Sequence, residues 1–115
     1  KNKYVEIYEL IKLIGLIKNL KPDLIIAVGG GSVLDYAKLA NILDSEDLVN
    51  KIKKNKLLRF KKKAKLLAIP TTAGSGSEVT SSGVVYIGKI KYSIEDTKIV
   101  PDYFFLFPKL IDIKS

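Results

Sequence analysis

Leu24-Ile25-Ile26-Ala27-Val28-Gly29-Gly30-Gly31-Ser32-Val33-Leu34-Asp35-Tyr36-Ala37-Lys38 is the stretch from which the rest of the chain can be read. Leu24 to Val28 is a short apolar run of strand length, rich in β-branched residues. Three glycines follow, and from Ser32 to Leu43 the apolar residues recur at helical spacing. A strand, a glycine turn and a helix N-terminus in that order suit a phosphate. Glycines let the backbone approach the ligand, and the unpaired first-turn N–H groups and the helix dipole favour an anion. Taken alone, the segment reads equally well as a tight strand-to-helix turn closed by a capping box, with Ser32 as N-cap and Asp35 three residues on. Leu34 stands where Gly-x-Gly-x-x-Gly requires its last glycine, and no Gly-Lys-Ser/Thr of a P-loop is present.

Working outward, Ile7, Leu10, Ile11, Ile14 and Ile17 form one apolar stripe, which predicts an amphipathic helix over residues 4–20. Pro22 ends it. The run 24–28 is apolar on both faces, as a central parallel strand covered by helices would be. Beyond the helix 32–43, a short helix over 46–54 leads into a lysine-rich surface loop. Leu66 to Ile69 predicts a second parallel strand, stopped by Pro70. Val84–Ile87 and Lys91–Ile94 flank Gly88-Lys89 as a hairpin, and Tyr103–Phe107 is a last aromatic strand ending at Pro108. Strands alternating with helices define the fold class as α/β with a mainly parallel sheet and a small β-hairpin.

At 115 residues and 47% hydrophobic composition the chain suffices for one small domain. It contains no cysteine and no histidine. That removes disulfides, thiolate chemistry, the commonest general base and the commonest transition-metal ligand. No apolar run reaches membrane-spanning length and no signal peptide is visible, so a cytoplasmic location is expected. The net charge is +8, and nine of the twenty basic residues lie between Lys51 and Lys65. With only Phe60 as an aromatic in that run, a solvated lysine-rich surface is favoured over a nucleic-acid site. The chain opens on Lys1 rather than Met and ends just after an apolar run, which reads as a piece of a longer protein.

A second loop, Thr71 to Ser82, crowds seven hydroxyls (Thr71, Thr72, Ser75, Ser77, Thr80, Ser81 and Ser82) around Gly74 and Gly76. It follows the strand 66–69, at a C-terminal strand end, where open α/β sheets bind ligands. Hydroxyl and backbone donors from two neighbouring strand ends can surround a pyrophosphate without a positive charge. Glu78 reads better as the cap of a helix starting near Ser77 than as a catalytic acid.

Together, Gly29-Gly30-Gly31-Ser32-x-x-Asp35-x-Ala37-Lys38 and Pro70-Thr71-Thr72-Ala73-Gly74-Ser75-Gly76-Ser77-Glu78-Val79-Thr80 resemble the iron-dependent (group III) alcohol dehydrogenases. The likeness covers about residues 1 to 110. It implies a Rossmann-like parallel sheet flanked by helices, incomplete here. Residues 1–115 would be a partial dinucleotide-binding domain without the family's helical metal-binding domain. By the same resemblance Gly30, Gly31 and Ser32 hold the NAD or NADP pyrophosphate and Asp35 lies toward the nicotinamide. Thr71 and Thr72 lie by the adenosine half, and Ser75 and Thr80 face the phosphates or the nicotinamide ribose. Lys91, with Lys89 as the competing alignment, reaches the ribose. The family's metal site, an aspartate and three histidines, has no counterpart among these residues. A divalent metal, iron or zinc, is expected only in a full-length protein, and no catalytic residue is expected in this chain. Phe107-Pro108 stands where the family usually has Asp-Pro.

The implied activity is NAD(P)-dependent, metal-assisted hydride transfer between a small alcohol and an aldehyde or ketone. A glycerol dehydrogenase or a dehydroquinate synthase-like relative on the same fold is the second enzymatic reading, though Ala73 to Glu78 favours the alcohol dehydrogenase branch. A non-catalytic remnant and a basic nucleic-acid-binding module are the readings from other classes. Exposed sheet edges would make a homo-oligomer a further expectation.

Overall fold

The stripe near the N-terminus folds into α1, Ile7–Leu20, in the computed structural model, which describes residues 4–71 and 80–106 and the backbone of 109–112. Ile7, Leu10, Ile14 and Ile17 are its buried residues. The Glu6 carboxylate caps the helix by accepting from the Glu9 N–H at 3.0 Å. Lys21 ends it in the left-handed conformation, its N–H donating to the Ile17 carbonyl.

The remaining elements, the strand Lys109–Asp112 apart, follow in the order the sequence predicts. They are β1 (Leu24–Gly29), α2 (Gly31–Ile42), α3 (Leu48–Lys53), β2 (Lys65–Pro70), β3 (Ser82–Ile87), β4 (Ile90–Glu95), β5 (Tyr103–Leu106) and β6 (Lys109–Asp112). A 3-10 turn, Thr97–Ile99, links β4 to β5. β1 pairs parallel with β2 from Leu24↔Lys65 to Gly29↔Pro70. β2 pairs parallel with β5, and β5 antiparallel with β6, giving the order β1-β2-β5-β6. β3 and β4 form a separate antiparallel ribbon joined through Gly88 and Lys89, with Gly88 at φ 62°. The architecture is a mainly parallel sheet covered by α2, with α1, α3 and the hairpin on the far side of that helix, the α/β arrangement expected.

Two details differ from the sequence reading, and a third falls partly outside the described residues. Among the described residues β1 is an edge strand, not a central one. Leu24, Ile26 and Val28 are 45%, 56% and 54% exposed, while Ala27 between them is buried. A continuous apolar run carries no label for which neighbours cover it, so its two faces are indistinguishable until α2 takes one. β6 was not anticipated. Its four residues pair with the whole of β5 and turn the far edge antiparallel. The last aromatic strand ends at Leu106, and Phe107 and Pro108 lie outside the described residues.

Two apolar clusters result. Ala27, Leu66, Ala68 and Phe104 from one sheet face meet Leu34 and Ala37 of α2. The opposite side of α2, with Leu39, Ala40 and Ile42, joins α1, α3 and the hairpin residues Val85 and Ile94 in the larger cluster. Thus α2 is the shared wall of both.

Part of the basic run is structural. Lys63 closes the C-terminal end of α2, its ammonium donating to the carbonyls of Ala40 at 2.8 Å and Leu43. Burial pulls the Lys63 pKa below the usual lysine value, against the opposing pull of Asp44. Lys62 pairs with buried Asp102 at 2.7 Å, and Asp102 also accepts from the Leu66 N–H. The Asn41 side chain accepts from the Ala64 N–H and donates to its carbonyl.

The hairpin lies against α2 at Gly83. A Cβ there would stand 2.9 Å from the side chain of Leu39, which is fully buried. We expect Gly83→Ala to destabilise the chain by about 1–3 kcal/mol. The measurement is urea unfolding, with the midpoint lowered and the slope unchanged.

Candidate functional site

Parallel pairing in register brings the starts of the two predicted loops side by side. Gly29 ends β1 opposite Pro70 at the end of β2, and the Thr71 N–H then donates to the Gly29 carbonyl at 3.0 Å. Both loops therefore leave the sheet at adjacent C-terminal strand ends, the crevice in which open α/β sheets bind ligands.

At Gly29 a Cβ would meet Val33 at 2.7 Å, so only glycine lets the chain turn this closely into the helix. Gly30, in extended conformation, is the N-cap of α2, and its carbonyl accepts the first helical bond from the Leu34 N–H at 3.1 Å. This corrects the capping box. Ser32 sits inside the first turn, not at the cap, and no side chain caps the helix. Two consequences follow for the chemistry. The first-turn N–H groups are not consumed by a cap, and no acidic side chain in that turn opposes an anion.

Asp35 is instead drawn inward. Its Oδ1 accepts from the Lys38 ammonium at 3.4 Å, and its Oδ2 from the Val84 N–H of the hairpin at 3.4 Å. Burial pushes the Asp35 carboxyl above its ordinary pKa, with Lys38 and the Val84 N–H opposing that rise. Lys38 also donates to the Thr80 hydroxyl at 3.2 Å, and that hydroxyl donates to the Ser82 carbonyl at 3.3 Å.

Of the predicted site residues, the structure places Gly30, Gly31, Ser32, Asp35 and Thr71 around the two adjacent strand ends. Asp35 and Thr80 are brought together through Lys38. Lys91 is exposed on β4 opposite Tyr86, nearer the hairpin turn than the Val84↔Ser93 pair beside Asp35, and is not drawn into that set. Its competitor Lys89 occupies the turn. Thr72 and Ser75 lie outside the described residues, as do Ser77 and Glu78 with the helix they would begin. An open groove of about 830 Å³ runs beside the free edge of β1, between α1 and α2. Ser32 is on its wall, with Ile26, Val28, Val33 and Tyr36.

Lys38 is the member of this hydrogen-bonded set that sequence reasoning left without a role. A lysine three residues after an aspartate, among the apolar residues of a helix, is the signal that could have found it.

The iron-containing alcohol dehydrogenase family model matches residues 3–108. An alcohol dehydrogenase of Thermococcus barophilus is 37% identical over 111 residues, which is 90% of this chain and 29% of that protein. An NADPH-dependent butanol dehydrogenase of Clostridium saccharobutylicum is 41% identical over 92 residues, 76% of this chain and 24% of that protein. Among solved structures, the iron-containing alcohol dehydrogenase of Thermococcus thioreducens superposes with a TM-score of 0.74 at 29% identity, covering 90% of this chain and 29% of that one. The sulfoacetaldehyde reductase of Bifidobacterium kashiwanohense, solved in complex with NAD+, gives 0.74 at 28% identity over 87% of this chain and 27% of its own.

A Rossmann-like α/β sheet from which the glycine turn and Thr71 emerge at neighbouring strand ends is the frame this chain shares with those structures. The chain belongs to the iron-containing alcohol dehydrogenase family. It spans between a quarter and a third of the length of the relatives just described.

Because the folded state holds the Asp35 proton more tightly than the unfolded chain, the contribution of this group to stability falls as pH rises from its unfolded value through its raised folded value. Removing the carboxyl removes that loss. We expect the stability of Asp35→Asn, relative to the parent chain, to increase steadily over that interval and level off above it. Urea unfolding from about pH 3 to about pH 7 checks this, and a flat difference would contradict the raised pKa.

Proposed function

We propose that this chain is part of the dinucleotide-binding domain of an NAD(P)-dependent alcohol dehydrogenase acting on a small alcohol, aldehyde or ketone. The observation that carries the reading is the Thr71–Gly29 hydrogen bond at the ends of two parallel strands, beside a helix whose N-cap is glycine. Pyrophosphate oxygens suit the first-turn N–H groups of Gly31, Ser32 and Val33, and the Ser32 hydroxyl adds a donor. Gly29 and Gly30 keep side chains out of the approach. Thr71 stands at the start of the neighbouring loop, on the side the adenosine half would take. Asp35, fixed by Lys38 and Val84, presents a hydrogen-bond acceptor one turn further along the helix.

The dinucleotide, when bound, supplies the hydride acceptor or donor. The residues of this chain bind and orient. They do not fit a metal centre, because histidine and cysteine are lacking and no group of three His, Cys, Asp or Glu suited to a metal exists among the described residues. Polarisation of the substrate oxygen is therefore not a task these residues can perform.

The relatives support the reading of the cofactor pair: one is named for NADPH and one was solved with NAD+. A glycerol dehydrogenase-like or dehydroquinate synthase-like chemistry has no observation in its favour here. The basic run 51–65 is explained in part by Lys62 and Lys63, which hold Asp102 and the end of α2, and this favours a solvated surface over a nucleic-acid site. No helix among the described residues is long and apolar enough to cross a membrane, and a cytoplasmic enzyme is the reading we adopt.

The test is titration of the chain with NADH and NADPH, followed by the fluorescence of the reduced nicotinamide. We expect binding of at least one. Ser32→Ala should weaken it about three- to tenfold, the worth of one hydrogen bond to a charged group, and Asp35→Ala should also weaken it. Equal affinities in the parent and both variants would overturn the reading. The chain by itself should turn over no alcohol, and measurable turnover of ethanol or butanol with NAD(P)+ would contradict the absence of a catalytic centre.

A further inference from the structure

A lysine with a side chain of zero exposure is rare, because an ammonium group loses its hydration on burial and must be paired and hydrogen-bonded. Lys38 is such a residue. It lies on α2 among Leu34, Ala37, Leu39 and Ala40, where an apolar side chain of equal size would serve packing at least as well. Its ammonium group reaches in two directions. One bond goes back a turn along its own helix to Asp35, and the other crosses 42 residues of sequence to Thr80, at the entry to the hairpin. Asp35 in turn accepts from the Val84 N–H on β3, 49 residues away. The result is a closed polar circuit, Lys38–Asp35–Val84 on one side and Lys38–Thr80–Ser82 on the other, seated at the seam between α2 and the hairpin.

We propose that Lys38 is a positioning residue: its buried ammonium locks the second turn of α2 to the entry of the hairpin, so that Asp35 and Thr80 are held in one fixed arrangement. The inference rests on the dinucleotide reading for its purpose but not for its geometry. Three features carry it. The ammonium joins residues from two segments that share no backbone pairing. Both partners are predicted site residues. The Asp35 carboxylate is held through each of its oxygens, one by Lys38 and one by the hairpin backbone, so the side chain has a single orientation. Without Lys38, Asp35 would lose its one ionic partner in a desolvated position, and Thr80 its link to the helix. Among the described residues both remain tied to β3.

The chain contains no cysteine, so Lys38→Cys introduces a single thiol. Alkylating it with 2-bromoethylamine in denaturant and refolding restores an amine at lysine length. Lys38→Met, the aminoethylated chain and Thr80→Val are compared with the parent by three readings. These are thermal unfolding, the NMR resonances of the Asp35 carboxyl carbon and the Val84 amide, and NADH affinity. We expect folded Lys38→Met to shift both resonances and to bind NADH at least about tenfold more weakly, a loss of roughly 1.4 kcal/mol or more. The aminoethylated chain should return to the parent resonances and to within about threefold of its affinity.

Thr80→Val leaves no buried charge unpaired and tests the circuit where Lys38→Met does not fold. It should move the Asp35 carbon resonance more than the Val84 amide, because it reaches Asp35 through Lys38 and Val84 through Ser82 and β3. An unmoved Asp35 resonance in Thr80→Val overturns the proposal. So does an aminoethylated chain that refolds without regaining the parent resonances. If the parent chain binds no NADH while the resonances shift and return as described, the lock stands and the dinucleotide reading falls.

Discussion

Parallel pairing of β1 with β2 is the constraint on which the site depends. In a parallel pair both strands finish at the same edge, so whatever follows them emerges in one place. Six matched residues set the register, and the last matched pair joins Gly29 to Pro70. A slip of one residue would move every side chain of β1 to the other face and carry the glycine turn away from Thr71. The apolar residues that hold the register, Ala27 against Ala68 with Leu66 below them, are thus as much a part of the site as the glycines. The geometry of the candidate site begins as sheet geometry.

α2 converts that placement into electrostatics. Its N-terminal end is left to the backbone, because Gly30 offers no side-chain cap. Its C-terminal end is closed by Lys63, a cation donating to the last carbonyls, as the helix dipole favours. Each end of the helix therefore meets a complementary arrangement, an anion-accepting turn at one and a fixed ammonium at the other. Between them the only described charged groups on the helix, Asp35 and Lys38, satisfy each other and the hairpin.

Much of this was legible locally. The period of α1, the strand lengths of β1 and β2, and the hairpin around Gly88 and Lys89 are written within windows of a few residues, and the structure follows them. The glycine turn was also found, because glycine content is itself local. The role of Asp35 was not. A carboxylate three residues after a serine has capping-box spacing, yet it equally has i, i+3 spacing to the lysine that follows, and nothing within the helix decides between them. The decision is made by Val84 and Thr80, more than forty residues away. The edge position of β1 was hidden for a related reason. Burial of a strand face depends on which element lies against it, and Leu24, Ile26 and Val28 give the same pattern covered or bare. Thr72 and Ser75, expected from the hydroxyl content of the loop and from the family resemblance, lie outside the described residues.

The division of the interior into two clusters has a thermodynamic consequence. The sheet packs on one side of α2, while the hairpin packs on the other with α1 and α3. The ribbon β3–β4 shares no strand pairing with the larger sheet. Opening the hairpin side would therefore leave the sheet and its ladder intact, so the two parts have separate free energies of local unfolding. A ligand that touches Thr71 on the sheet side and Thr80 on the hairpin side binds only when both parts are in place. By linkage, its occupancy adds RT ln(1 + [L]/Kd) to the weaker part's resistance to opening. In this fold, ligand concentration would regulate how long the protein stays whole as well as how often the site is filled.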